Sequence, residues 1–149
     1  MTKTILIVES DELNLKLFND ILQVHSYKTV LTLDERLSID LAREHSPDLI
    51  IMGIQMPSNS SLEITKVIKA DDGLKKIPIL AVTALAMKDD EKKHRNSGCD
   101  GYLTKPISIP QFIETIHEFL RWLGPTLISH VFIIVNAHPW TRPLLFLKI

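Results

Sequence analysis

Short apolar runs recur along the chain, and segments with helical spacing separate them. Four of these runs show no alternation between apolar and polar residues. Such uninterrupted runs are typical of strands that are covered on both faces, as in a parallel sheet. The predicted strands are Thr4–Val8, Leu49–Met52, Ile79–Val82 and the weaker Tyr102–Leu103, with a further short strand at Lys28–Leu31.

Five segments between and after these strands have the spacing of amphipathic helices. Asp11 or Ser10 is the expected N-cap of the first helix. The fourth, Lys88–Ser97, is mostly charged and ends at Gly98, a residue typical of helix C-termini. The order strand–helix, repeated five times, predicts an α/β fold with a parallel sheet and helices on both faces. The positions expected to face the core are Leu13, Leu17, Ile21 and Val24 in the first helix, Leu37, Leu41 and Ala42 in the second, Ile64, Val67 and Ile68 in the third, and Ile109, Phe112, Ile113, Ile116 and Leu120 in the fifth.

The pattern ends near Leu123, and residues 124–149 have a different composition. They are rich in proline and apolar residues and contain almost no acids. Their longest apolar run, Val131–Val135, is far shorter than the ~20 residues of a membrane-spanning helix. We therefore divide the chain into a domain of residues 1–123 and a C-terminal appendage of residues 124–149. The appendage should be a strand with a loose tail, either folded onto the domain or poorly ordered.

Composition narrows the classes of function. The length of 149 residues suits one compact domain, and the net charge of −1 predicts neither a nucleic-acid nor a membrane partner. A single cysteine, Cys99, excludes an intrachain disulfide and a multi-cysteine zinc site, and it fits a reducing compartment. The acidic residues that follow the first apolar run do not fit a signal peptide. We therefore expect a cytoplasmic protein.

Polar residues follow several predicted strands at the edge where an open α/β sheet places its functional site. Acidic groups, a hydroxyl and a lysine at one edge are the set that would hold a divalent metal ion and a phosphoryl group. The residues in question are Glu9, Ser10 and Asp11 after the first strand, Gly53 and Gln55 after the third, Thr83 and Ala84 after the fourth, and Thr104, Lys105 and Pro106 after the fifth.

Four segments resemble the motifs of bacterial response regulator receiver domains, and the resemblance covers about residues 1–120. They are LIVESDELNLKLF, PDLIIMGIQMP, IPILAVTA and GCDGYLTKPIS. The resemblance implies a flavodoxin-like (βα)5 fold, with a doubly wound, five-stranded parallel sheet in the order 2-1-3-4-5 and the appendage added to it. It also implies a non-enzymatic role in a two-component phosphorelay, with a histidine kinase or another phosphorelay protein as the partner.

The resemblance assigns roles to the residues after the first and third strands. Glu9 matches the first of two adjacent acids, and Ser10 stands where the family has the second, a direct metal ligand. Gly53 stands where the family has its phosphate-accepting aspartate, and Gln55 matches a residue whose backbone carbonyl completes the metal shell. Ser61 stands where the family usually has glycine, which would cost about 1 kcal/mol if that position required a positive φ.

The resemblance also assigns roles to residues near the last two strands. Thr83, with Ala84 beside it, matches the hydroxyl residue that turns toward the phosphoryl group, and Lys105 matches the lysine that contacts this group. Tyr102 matches an aromatic residue that turns inward on activation, and it suits either a partner contact or ordinary packing. The Lys105–Pro106 bond resembles the family's cis peptide. Tyr102 and Pro106 would belong to the partner-binding face.

The departures from the family pattern decide the expected mechanism. Formation of an acyl phosphate requires a carboxylate nucleophile, so phosphotransfer to Gly53 is excluded. Magnesium would lose two anionic ligands and should bind weakly, through Glu9, Asp11 and Gln55 at most. Asp11 should begin the first helix and face another way. Lys105 should then pair with Glu9, because an unpaired, partly buried charge is costly.

Three hypotheses for the function follow. The leading one is a degenerate pseudo-receiver that signals by phosphorylation-independent protein binding. The second is a small-molecule binder or enzyme on the same flavodoxin-like fold, which would require a phosphate-binding glycine loop that the sequence VESDE after the first strand does not supply. The third is a decayed or frameshifted receiver copy with little function, a hypothesis that the unusual appendage supports.

Overall fold

A computed structural model of the chain describes residues 2–54, 60–84, 96–121, 131–135 and 144–147. Its first five strands lie parallel in the order β2-β1-β3-β4-β5, which confirms the predicted fold class and strand order. Each strand agrees with its predicted range to within two residues at either end. They are β1 (Thr4–Val8), β2 (Lys28–Thr32), β3 (Leu49–Ile54), β4 (Ile79–Thr83) and β5 (Gly101–Thr104).

The helices are α1 (Glu12–Val24), α2 (Ser38–His45), α3 (Ser60–Ala70) and α4 (Ile109–Arg121), and a short 3-10 helix, Glu35–Leu37, precedes α2. The predicted helix Lys88–Ser97 lies outside the described residues except for its last two, which are helical. Gly98 follows them with φ = 91°, the left-handed conformation expected of a helix-ending glycine. Within the described ranges, no helix is long and apolar enough to span a membrane.

Two strands of the C-terminal appendage extend the sheet beyond β5. Strand β6 (Val131–Val135) runs parallel to β5, and β7 (Leu144–Leu147) runs antiparallel to β6. The strand predicted at Val131–Val135 is therefore confirmed, but the prediction of five strands is incomplete, because the sheet has seven. An apolar run of four residues was too short a signal for predicting β7. The division at residue 123 stays a prediction.

The core has two layers, one on each face of the sheet. Alternate residues of β1 enter opposite layers: Ile5 and Ile7 pack with α1 and α4, whereas Leu6 and Val8 pack with α2 and α3. The first layer includes Phe18 of α1, whose ring stacks on that of Phe112 of α4 with a centroid distance of 5.0 Å. Both faces of the central strands are thus covered, as the uninterrupted apolar runs predicted.

The core-facing side of α1 differs from the prediction. Leu13, Leu17 and Val24 are 80%, 42% and 81% exposed, while the buried residues are Phe18 and Leu22. Of the predicted stripe, only Ile21 packs against the core, and it is partly buried. The prediction was wrong because α1 carries apolar residues on two sides. Helical spacing identifies such stripes but does not say which of them meets the sheet.

The other helices show smaller errors of the same kind. Leu37, Val67 and Ile109 are each about half exposed rather than in the core. Leu37 belongs to the 3-10 helix and Ile109 is the first residue of α4, so both lie at element ends that face solvent. The remaining predicted positions are buried or partly buried against the core: Leu41, Ala42, Ile64, Ile68, Phe112, Ile113, Ile116 and Leu120.

Candidate functional site

The carboxyl ends of β1, β3, β4 and β5 bring several of the predicted site residues to one edge of the sheet. Glu9 directly follows β1, and Gly53 is the next-to-last residue of β3. The strand register aligns Gly53 with Val82, so that Thr83 follows at the same level. Lys105 follows β5, and its backbone N–H donates to the Thr83 carbonyl at 2.7 Å. Parallel pairing therefore places an acid, a hydroxyl and a lysine together.

Glu9 is buried and paired with Lys105. Its side chain is 1% exposed, and Lys105 Nζ lies 3.3 Å from each of its two carboxylate oxygens. The backbone N–H of Asp11 donates to Glu9 Oε1 at 3.3 Å. This geometry confirms the predicted ion pair, and it supplies the partner that a buried carboxylate requires.

Gly53 leaves a space that the Glu9 carboxylate occupies. A Cβ atom built on Gly53 would lie 2.6 Å from Glu9 Oε2 and 3.1 Å from both Glu9 Cδ and the Val8 carbonyl oxygen. No side chain fits at position 53 while Glu9 keeps this position. The sequence analysis did not predict this contact, although a glycine inside a strand is itself a signal that another group approaches closely.

The described residues do not fit a magnesium ion. Asp11 caps α1, since its Oδ1 accepts from the backbone N–H of Asn14 at 3.0 Å, which confirms the predicted N-cap. Glu9 is engaged by Lys105, Ser10 offers only an exposed hydroxyl, and Gln55 lies outside the described residues. Among the described residues, no three His, Cys, Asp or Glu side chains form a group that could hold a metal. Magnesium requires several oxygen ligands in near-octahedral geometry.

The remaining predicted site residues divide by burial. Thr83 and Tyr102 are 1% and 5% exposed, and Tyr102 packs in the core layer on the side of α2 and α3. Of the two roles left open for Tyr102, its burial favours packing over direct contact with a partner. Ala84 and Pro106 are exposed. The Lys105–Pro106 peptide is cis, as the resemblance implied.

A polar group beside the site was missed by the sequence analysis. The hydroxyls of Ser60 and Ser61, at the start of α3, donate to the two carboxylate oxygens of Glu35. These residues line a cavity of about 360 Å³ that reaches Gly53 and Ser10. The strain considered for Ser61 does not arise, because Ser61 is helical and the only non-glycine residues with positive φ in the described part of the chain are Ser26 and Ser46.

Comparison with known proteins decides the family. The family model described as the response regulator receiver domain matches residues 5–117. The chain belongs to this family. A curated receiver protein, the polar-differentiation response regulator DivK of Brucella ovis, is 53% identical over 120 residues, which cover 80% of this chain and 98% of DivK. DivK of Brucella anthropi matches with the same identity and coverage. The chain is thus a DivK-like response regulator receiver domain.

Solved receiver domains confirm the fold. Chemotaxis protein CheY4 of Vibrio cholerae superposes with a TM-score of 0.75 at 22% identity, covering 80% of this chain and 100% of CheY4. The receiver domain of a signal transduction histidine kinase from Syntrophus aciditrophicus gives 0.76 at 25% identity, covering 84% and 95%. That of a sensor histidine kinase from Pseudomonas aeruginosa gives 0.73 at 24% identity, covering 81% and 99%, and it has magnesium coordinated in its active site cleft. Receiver domains are typically non-enzymatic signalling modules that interact with histidine kinases and other regulators.

Proposed function

We propose that this receiver domain binds its protein partners without being phosphorylated, in signalling of the kind that DivK carries out in polar differentiation and cell division. Glycine at position 53 has no carboxylate with which to accept a phosphoryl group. The observation that carries the proposal is the Glu9 carboxylate, which lies in the space beside Gly53 and is paired with Lys105.

The Glu9–Lys105 pair takes over the electrostatic part of the missing chemistry. Lys105 is neutralised by a carboxylate of the same chain, so it needs no phosphoryl group to balance its charge. Tyr102 is 5% exposed, and the matching aromatic residue of the family turns inward on activation. The burial of Tyr102 therefore supports a permanently active-like arrangement of the domain.

The partner is a histidine kinase or another phosphorelay protein in the cytoplasm. The net charge of −1 favours a protein partner over nucleic acid or a membrane surface. The binding face includes β5, α4 and the charged segment that precedes Gly98. Magnesium, if it binds, does so weakly through the oxygens near Glu9 and Asp11, and no enzymatic step depends on it.

The test is a binding experiment with and without a phosphodonor. Purified histidine kinases and phosphotransfer proteins are titrated against the chain, with acetyl phosphate and Mg²⁺ either present or absent. We expect one of them to bind with the same affinity in both conditions, whereas DivK of Brucella ovis serves as the control with an intact response regulator sequence. Binding that requires the phosphodonor would contradict the proposal. Failure to bind any of them would favour a decayed receiver copy.

A further inference from the structure

The outward side of α1 carries an apolar stripe that the fold does not use. Leu13, Leu17 and Val24 are 80%, 42% and 81% exposed. With 3.6 residues per turn, Leu13 and Val24 lie about 20° apart around the helix axis, and Leu13 lies about 180° from the buried Leu22. We call these three residues the outer α1 stripe. It runs for about 16 Å along the helix, directly opposite the core-facing side.

We propose that the outer α1 stripe binds the same stripe of a second copy of this chain, with the two helices antiparallel across a twofold axis. Single exposed apolar residues need no explanation, but an aligned set on one face of a helix is the pattern of helix–helix packing. A twofold interface requires a surface that is complementary to itself. An antiparallel pair meets this requirement, because it sets Leu13 of each copy against Val24 of the other.

The charges beside the stripe support the same arrangement. Lys16 and Asp20 are exposed and lie on one flank of the stripe, four residues apart. Neither forms a salt bridge with another residue in the part of the chain that the structure describes. In the antiparallel pair, Lys16 of each copy lies next to Asp20 of the other. The flank is thus complementary in charge to itself, which favours a second copy over an unrelated partner.

The expected dimer is weak. A contact along three turns of one helix buries less than the roughly 1,200 Å² of a stable, specific interface. The chain should therefore be in a monomer–dimer equilibrium that depends on concentration. The surface lies outside the Glu9–Lys105 site, so the inference does not depend on the proposed mode of signalling.

Sedimentation equilibrium tests the surface. We expect Leu13→Glu to raise the dimer dissociation constant at least about tenfold, since it places charge in an apolar contact. The matched control is Val67→Glu on α3, which changes a residue that is 51% exposed and should leave the equilibrium unchanged. A chain that stays monomeric up to about millimolar concentration, or a dimer that Leu13→Glu does not weaken, would overturn the proposal.

Two further variants distinguish a second copy from another partner. Lys16→Asp should weaken the dimer, and Lys16→Asp combined with Asp20→Lys should restore it, because the swap preserves self-complementarity. A Leu13→Cys protein mixed with a Val24→Cys protein should form a disulfide-linked pair much faster than either protein alone. The single cysteine of the chain, Cys99, is buried and does not interfere. If the swap fails to restore the dimer, or if no mixed disulfide forms, the antiparallel arrangement is wrong.

Discussion

Strand β5 has an ion pair at each end, and the two pairs are held in different ways. At the amino end, Lys69 Nζ lies 2.6 Å from Asp100, and the two side chains are 16% and 17% exposed. At the carboxyl end, Lys105 Nζ lies 3.3 Å from Glu9, and the two side chains are 23% and 1% exposed. The first pair is shorter, whereas the second contains the more deeply buried carboxylate.

The neighbours of the two pairs explain the difference. Asp100 also accepts from the Ile79 backbone N–H at 2.8 Å, and Lys69 also donates to the Ile77 carbonyl at 2.8 Å. Burial raises the pKa of the Asp100 carboxyl, although the nearby Lys69 ammonium offsets part of this effect. Both members of the amino-end pair are thus fixed to the backbone and join α3 to the β4–β5 edge. The carboxyl-end pair instead borders Gly53 and lies where receiver domains carry out their chemistry.

The largest effect should follow the loss of Lys69. Lys69→Met keeps the aliphatic part of the side chain but leaves the Asp100 carboxylate buried without its cation, which should lower the free energy of unfolding by about 3 kcal/mol. Urea denaturation measures this loss. Lys75→Met is the control, because Lys75 pairs with the exposed Asp72 at the surface and its loss should cost less than about 1 kcal/mol. Equal losses in the two variants would show that the amino-end pair has no special structural role.

Loss of Lys105 should have a smaller effect. In Lys105→Met the Glu9 carboxylate keeps the Asp11 N–H donor, so we expect a loss of about 1 to 2 kcal/mol. Adding Glu9→Gln to this variant should recover most of the stability, since it removes the buried charge. Urea denaturation of both variants checks the prediction. If the double variant is less stable than Lys105→Met, the charge of Glu9 is not the source of the loss.

Gly53→Ala tests the contact between Gly53 and Glu9 directly. The added Cβ would lie 2.6 Å from Glu9 Oε2, so Glu9 must move, at a cost of about 1 kcal/mol. In a Glu9→Ala background the same substitution should cost close to nothing, because the space is then empty. The double-mutant cycle, measured by thermal unfolding, gives the coupling between the two positions. A coupling of zero would mean that Glu9 does not fill the space at Gly53.

Magnesium should have the smallest effect. With Glu9 engaged by Lys105 and Asp11 engaged at the α1 N-terminus, millimolar Mg²⁺ should shift the thermal midpoint by less than about 1 °C. Differential scanning fluorimetry over a range of Mg²⁺ concentrations measures the shift. A clear, saturable rise would show that the remaining oxygens bind the ion better than their number suggests.

The sequence predicted the framework better than the faces of its helices. Uninterrupted apolar runs define buried strands, so β1 to β5 were located closely. The core side of α1 was wrong because Leu13 and Val24 fit helical spacing as well as Phe18 and Leu22 do. Strand β7 was missed because four apolar residues are a weak signal without knowledge of the partner edge on β6.

The site was only partly predictable for a related reason. The pairing of Glu9 with Lys105 followed from charge balance at one sheet edge. The position of Glu9 in the space beside Gly53 did not follow, because it depends on a side-chain conformation that sequence spacing does not determine. The Lys69–Asp100 pair was also missed, since its members are far apart in the sequence and carry no motif.

The absence of a phosphate acceptor is the central claim, and intact mass measurement after incubation with acetyl phosphate and Mg²⁺ tests it most directly. The chain should show no added phosphoryl group and no hydroxylamine-labile phosphate. Gly53→Asp should be labelled slowly, because Glu9 must be displaced and Ser10 supplies no carboxylate for the metal. Ser10→Asp combined with Gly53→Asp should be labelled much faster and is the positive control. A stoichiometric acyl phosphate on the unmodified chain, mapped to Glu9 or Asp11, would contradict the account.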